Sequence, residues 1–143
     1  MFHSVGERLF WQPQKFPADP ELISFGNNVN IAANVTFINH DTSAKLLNDL
    51  YQTKEFKPVK GCIEIGNNIL VGANVIILPN VRIGNNVVIG AGSIVAKDIP
   101  DNCVAAGVPC KVIDTFDNYA EKRRKSNFVP KENLWEFFIE QRQ

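Results

Sequence analysis

From Ile65 the chain repeats every six residues. An aliphatic residue opens each unit at Ile65, Val71, Ile77, Ile83, Ile89 and Val95. The next position is small at Gly66, Gly72, Gly84, Gly90 and Ala96, with Leu78 the exception. The fifth is apolar at Ile69, Val75, Val81, Val87 and Ile99, with Ser93 between the last two. A fixed short period is the signature of a solenoid. Six is a multiple of the strand period of two and fits no whole number of helical turns, so the units are strands. Valine and isoleucine suit them, because β-branched side chains are stiff and pack well on pleated surfaces. Asparagine pairs at Asn27-Asn28, Asn67-Asn68 and Asn85-Asn86 supply residues that tolerate positive φ at tight corners. Strand and corner, three times over, make a triangular coil. Stacked coils, spaced roughly 4.8 Å apart, bury one continuous apolar column.

The same frame holds upstream. Phe25-Gly26-Asn27-Asn28-Val29 and Ile31-Ala32-Ala33-Asn34-Val35 are full units, and Val5-Gly6-Glu7-Arg8-Leu9 reads as an isolated first one. Phe37 opens another, but Asp41 stands where the apolar fifth residue belongs. The pattern then fails until Val59 or Ile65, which predicts a loop over about 43–58 thrown out from the solenoid. Long loops in compact domains are uncommon and usually functional or disordered. The β-domain spans 1–113. Residues 114–143 have a different composition, with the basic run Lys122-Arg123-Arg124-Lys125 and then an apolar stripe of Leu134, Trp135 and Phe138 after Pro130, and read as a C-terminal helical extension.

The formal net charge of the 143 residues is zero, which argues against general nucleic-acid binding. No apolar run reaches membrane-spanning length, and the first residues lack a signal-peptide pattern. The three cysteines, Cys62, Cys103 and Cys110, have no metal-ligand spacing and read as small buried or half-buried residues in a reducing cytoplasm.

The stretch IGNNILVGANVIILPNVRIGNNVVIGAGSIVAKDIPDNCVAAGVPCKVI, with VTFINHDTS upstream, resembles the hexapeptide-repeat acyltransferases. It is most similar to the galactoside and maltose O-acetyltransferases and the sugar O-acetyltransferases of surface-polysaccharide clusters. The resemblance covers about residues 22–113. It implies a left-handed parallel β-helix, an exception to the usual crossover handedness. It also implies a homotrimer with active sites between subunits, acetyl-CoA as cosubstrate, a sugar or glycan acceptor and no catalytic metal.

Acetyl transfer from a thioester to a hydroxyl needs a base, an oxyanion donor and a track for the acyl carrier. Histidine, with an unperturbed pKa of about 6.5, suits the first task. Of the two histidines, His3 lies at the terminus, while His40 ends a strand where the family carries its base. Asp41 beside it reads either as an acceptor contact or as a cap on the turn. Gly72 and Ala73 match the acyl-contact position. Ala91 and Gly92 match the pantetheine track, and Ala96, Lys97 and Lys111 the nucleotide end. Asp114 replaces a basic residue common there, a loss the Lys122–Lys125 run is placed to offset. For the acceptor, Trp11 beside Phe10 and Phe16, with Asp19 and Glu21, offers aromatic faces and carboxylates, although aromatics at a solenoid end also serve as caps. Three other readings compete: N-acetylation of an amino sugar nucleotide, a carbonic anhydrase on the same fold, for which three zinc-binding histidines are wanting, and a non-catalytic β-helix scaffold.

Overall fold

The computed structural model describes residues 1–143. The first coil contributes β1 (Ser4–Val5) and β2 (Leu9–Trp11), and the second contributes β3 (Ile23–Phe25), β4 (Val29–Ile31) and β5 (Thr36–Phe37). Helix α1 (Ser43–Tyr51) follows. The third coil holds β6 (Ile63–Ile65), β7 (Ile69–Val71) and β8 (Ile76–Ile77). The fourth holds β9 (Val81–Ile83), β10 (Val87–Ile89) and β11 (Ile94–Val95). After β12 (Cys103–Ala106) the chain reverses into β13 (Lys111–Thr115), then α2 (Phe116–Arg124) and α3 (Leu134–Glu140).

Successive strands belong to three different sheets, so each coil has three walls. The first wall runs β1-β3-β6-β9, the second β2-β4-β7-β10-β12-β13 and the third β5-β8-β11. Every pairing is parallel except β12 with β13. Register stacks like on like: Ile23 on Ile63 on Val81, Val29 on Ile69 on Val87, and Phe37 on Ile77 on Val95. The inward residues form one buried column, and Ile77, Val87 and Val95 are fully inaccessible.

The corners explain the asparagines. Asn28, Asn68, Asn86 and Asn102 all have φ between 55° and 60°. Their amides form a ladder up the corner: Asn28 Nδ2 donates to Asn68 Oδ1 at 3.0 Å, Asn68 to Asn86 at 2.9 Å and Asn86 to Asn102 at 2.8 Å. The neighbouring Asn67, Asn85 and Asp101 side chains each accept the backbone N–H of the coil before, at 2.7, 2.8 and 2.7 Å. The exception at Ser93 has its own logic. Its buried hydroxyl donates to Gly90 O at 2.6 Å and accepts Gly107 N–H at 3.0 Å, stitching the last coil to the terminal hairpin.

Three expectations change. The excursion after Ser43 is not simply a loop but carries α1, whose Leu46, Leu47, Leu50 and Tyr51 recur at helical spacing. The terminal extension is preceded by an antiparallel strand that runs through Ile113 to Thr115, so the reversal begins inside the stretch assigned to the coils. Cys62 is exposed rather than buried, whereas Cys103 is buried and Cys110 half-buried, burial pushing both of those thiols up.

The open N-terminal end of the column is closed by aromatics. Trp11 stacks on Phe37 with ring centroids 5.8 Å apart, and Phe2 meets Trp11, Phe16 and Phe25 at 5.4, 5.0 and 4.9 Å. Trp11 pairs in register with the buried Ile31, so its ring points into the column and serves as a cap. The α3 face of Leu134, Trp135, Phe137, Phe138 and Ile139 is exposed. No helix is long and apolar enough to cross a membrane.

Candidate active site

The excursion leaves and re-enters the coils at one neck. There His40 pairs with Lys60 across an antiparallel bridge. Asn39 is buried and fastens the same neck: its carbonyl accepts Gly61 N–H at 2.7 Å and its Nδ2 donates to Gly61 O at 2.9 Å. Asn39 Oδ1 is buried with no partner, a loss of roughly 1–3 kcal/mol that the neck tolerates.

The neck delivers His40 and Lys60 to one carboxylate. Asp19, 8% exposed, accepts His40 Nδ1–H on Oδ2 at 2.8 Å and the Lys60 ammonium on Oδ1 at 2.9 Å. The Lys60 hydrogen bond, with that of His40 added, holds the Asp19 carboxyl below the usual carboxylate range against the opposing effect of burial. Asp19 in turn raises Lys60, with a smaller push from Glu21. An ionised carboxylate can only accept, so Nδ1 carries the proton, and in the neutral ring Nε2 is the acceptor. The His40 side chain is 46% exposed. Sequence reasoning missed Lys60 altogether and grouped Asp19 with acceptor contacts; no local pattern announces a partnership across 21 and 41 residues of chain.

Asp41 turns away from this cluster. It accepts Ser43 N–H at 3.0 Å and Ser43 Oγ–H at 2.5 Å, and these bonds lower its carboxyl. It therefore caps the turn into α1. Glu21 is exposed near Lys60.

Gly72, Ala73, Ala91 and Gly92 come together at a different corner, between the second and third walls. Gly92 N–H donates to Ala73 O at 2.8 Å. A Cβ on Gly72 would lie 2.6 Å from Ala91 N, so coil stacking demands that glycine. Gly92 has φ 75° and open space beside it, leaving bare backbone at the surface. Along the third wall this corner lies roughly 15–20 Å from His40 at 3.3 Å per residue, too far for both to touch one acetyl group. Ala96 and Lys97 sit on the His40 corner, two coils further along, and both are exposed. Lys111 opens β13, paired with Ala106.

The cations of α2 are largely spoken for. Lys122 binds Asp114 at 3.0 Å, and Arg124 and Lys125 reach Glu121 at 2.9 and 3.8 Å. Asp114, lowered first by Asn118 and then by Lys122, is thus locally neutralised. No group of three His, Cys, Asp or Glu side chains converges as a metal site.

Known proteins share this architecture. Residues 62–97 match the family described as bacterial transferase hexapeptide (six repeats). The Staphylococcus aureus protein CapG is 44% identical over 108 residues, covering 75% of this chain and 60% of that one. The galactoside O-acetyltransferase of Escherichia coli K12 is 50% identical over 95 residues, covering 66% of this chain and 45% of that one. The chain thus spans about half the length of these curated relatives. The crystal structure of a maltose O-acetyltransferase from Clostridium difficile 630 superposes with a TM-score of 0.64 at 34% identity, over 80% of this chain and 70% of that one. With the hexad register, the stacked coils and this likeness in agreement, the chain belongs to the hexapeptide-repeat acyltransferase family.

Proposed function

We propose that this protein transfers acetyl from acetyl-CoA to a hydroxyl of a sugar or glycan, with His40 as general base. The observation that carries this reading is the His40–Asp19 bond of 2.8 Å, which in the neutral ring puts the proton on Nδ1 and makes Nε2 the acceptor of a side chain that is 46% exposed. His40 Nε2 takes the proton of the acceptor hydroxyl as its oxygen bonds to the thioester carbonyl carbon. The imidazolium, stabilised by Asp19, returns that proton to the thiolate sulfur when the C–S bond breaks. An acetyl ester and a free thiol result, and the base is restored. A positioned base of this kind contributes roughly 10²–10⁴-fold.

The fit of the acyl donor is supported by the Gly72–Ala73 and Ala91–Gly92 corner, where small residues let an extended arm lie against backbone. Lys97 and Lys111 would meet the phosphates as point charges. Because that corner and His40 stand at opposite ends of the third wall, a complete site takes the base from one copy and the acyl track from another. A homotrimer of left-handed coils with clefts between subunits meets that demand. Acetyl-CoA as donor puts the reaction in the cytoplasm. Matched hydroxyl and amino sugars offered together should be acetylated on oxygen.

His40→Ala tests the reading. Turnover should fall at least about a hundredfold. The rise in melting temperature that acetyl-CoA causes as a native-state ligand should persist. Near-normal turnover in that variant would overturn the assignment.

A further inference from the structure

The three outer walls differ in chemistry. On the third wall the outward residues Ile76 and Ile94 are half-buried apolar surface, as is Leu70 on the second, where Val88 and Val104 are already buried within the chain. On the first wall the outward residues are Ser4, Ser24, Glu64 and Arg82, one above another in register. Ser4 and Ser24 hydroxyls bond at 2.6 Å, and Arg82 Nε donates to Glu64 Oε2. Interfaces between copies draw on apolar surface. The polar wall is the one suited to a ligand rather than a neighbouring subunit.

That wall is also concave. Two hollows of about 540 Å³ each lie on it and share Ser4, Ser24 and Glu64, so they form one trough. One end begins at Glu21, Leu22 and Cys62, with Glu21 and Cys62 each two residues along the chain from the Asp19 and Lys60 that hold His40. The other end reaches Asp101 at the asparagine corner. A trough crossing the strand and both corners runs roughly 15 Å at 3.3 Å per residue, longer than one sugar ring. Its lining offers hydroxyls, carboxylates and a guanidinium, which are hydrogen-bonding partners for vicinal hydroxyls. Glu64 is paired with Arg82 and Glu21 lies near Lys60, so Asp101 is the carboxylate of the lining with no cation beside it and the lining carries no excess of positive charge. A uronic or sialic chain would be repelled there, and a neutral one would not.

We propose that this trough is an extended acceptor subsite that holds a neutral oligosaccharide of two or more rings with its reactive hydroxyl at His40. The proposal rests on the acetyl-transfer reading and adds to it the length and charge of the acceptor. Glu21, Ser24 and Glu64 are binding groups in it, and Cys62 is part of its floor.

The test is a length series with acetyl-CoA as donor: glucose, maltose, maltotriose and maltotetraose, with trigalacturonate as the charged comparison. The wild type should show kcat/KM rising at least tenfold from glucose to maltotriose, mainly through KM, and little transfer to trigalacturonate. In Ser24→Trp, which fills the trough at its waist, the maltotriose-to-glucose ratio should collapse towards one. An acetyl-CoA-dependent rise in melting temperature shows that the variant is folded; a second variant, Ser24→Leu, serves if it is not. A wild-type series that is flat with length, or a ratio that survives Ser24→Trp and Ser24→Leu, overturns the trough while leaving acetyl transfer standing. Absence of transfer to every sugar, in an enzyme that still binds acetyl-CoA, overturns the sugar-acceptor reading and the trough with it.

Discussion

At the residue scale, the decisive feature is a single carboxylate shared by an imidazole and an ammonium. Asp19 is ionised because Lys60 and His40 bond it. A carboxyl lowered in the folded state stabilises the fold at pH above its unfolded value of about 3.9, and that contribution is lost as pH falls through the folded value. Lys60 is raised, so its share is present below about pH 10.4 and is lost only as pH climbs through its folded value. The Asp19→Asn variant should therefore melt below wild type between about pH 5 and 9, and the margin should shrink below about pH 4. Melting curves from pH 3 to 9 decide this; a margin still full at pH 3 would assign the loss to packing instead of charge. Turnover should fall too, by between about tenfold and 10⁴-fold, because the amide no longer enforces the right tautomer. His40 was singled out in the sequence by the resemblance that VTFINHDTS carries, at the place where the hexad breaks at Asp41. Asp19 and Lys60 were not, because their contacts join residues 21 and 41 apart in the chain, the first across the second coil and the second across the excursion as well. Asp41, the nearer carboxylate, is spent on Ser43.

At the element scale, the corner ladder does two separable jobs. Each asparagine accepts a left-handed φ, and each passes a hydrogen bond to the next coil. Asn68→Gly keeps the first job and loses the second, and Asn68→Ala loses both. Alanine should therefore be the worse substitution, destabilising by roughly 1–3 kcal/mol from left-handed strain plus the lost bonds, and glycine by about 1 kcal/mol. Chemical denaturation of both variants measures the order; alanine equal to or milder than glycine would mean the backbone there relaxes. The walls and corners were legible because a period of six leaves most inward positions filled by Val or Ile. What the period could not show is what replaces it where it stops. The α1 spacing of Leu46, Leu47, Leu50 and Tyr51 is a helical signal of only nine residues, and without the coils to flank it such a helix is marginal in water. Likewise Trp11 carries the same aromatic signal whether it greets a sugar or closes a column, and only its register with Ile31 decides for the cap.

At the scale of the whole molecule, the separation of the two corners has a quantitative consequence. If the base and the acyl track of one site come from neighbouring subunits, then two inactive variants can repair each other. His40→Ala lacks the base but keeps an intact Ala73. Ala73→Arg keeps the base but fills the acyl track with a bulky cation. Each alone should retain less than about 1% of turnover, since the base alone contributes at least 10²-fold. In trimers assembled from equal amounts of both, a working site needs His40 from one subunit and Ala73 from its neighbour. Random assembly makes that coincidence in about a quarter of the clefts of a closed ring, and in about a third once double purification has removed the homotrimers, so co-expressed and doubly purified mixtures should regain about a third of wild-type activity. The same mixture made from separately purified trimers, left unexchanged, should stay inactive, which excludes wild-type contamination as the source. A co-assembled mixture that also stays inactive would mean that each chain carries base and acyl track for its own site, and the 15–20 Å along the third wall would then have to be closed by the acyl arm itself.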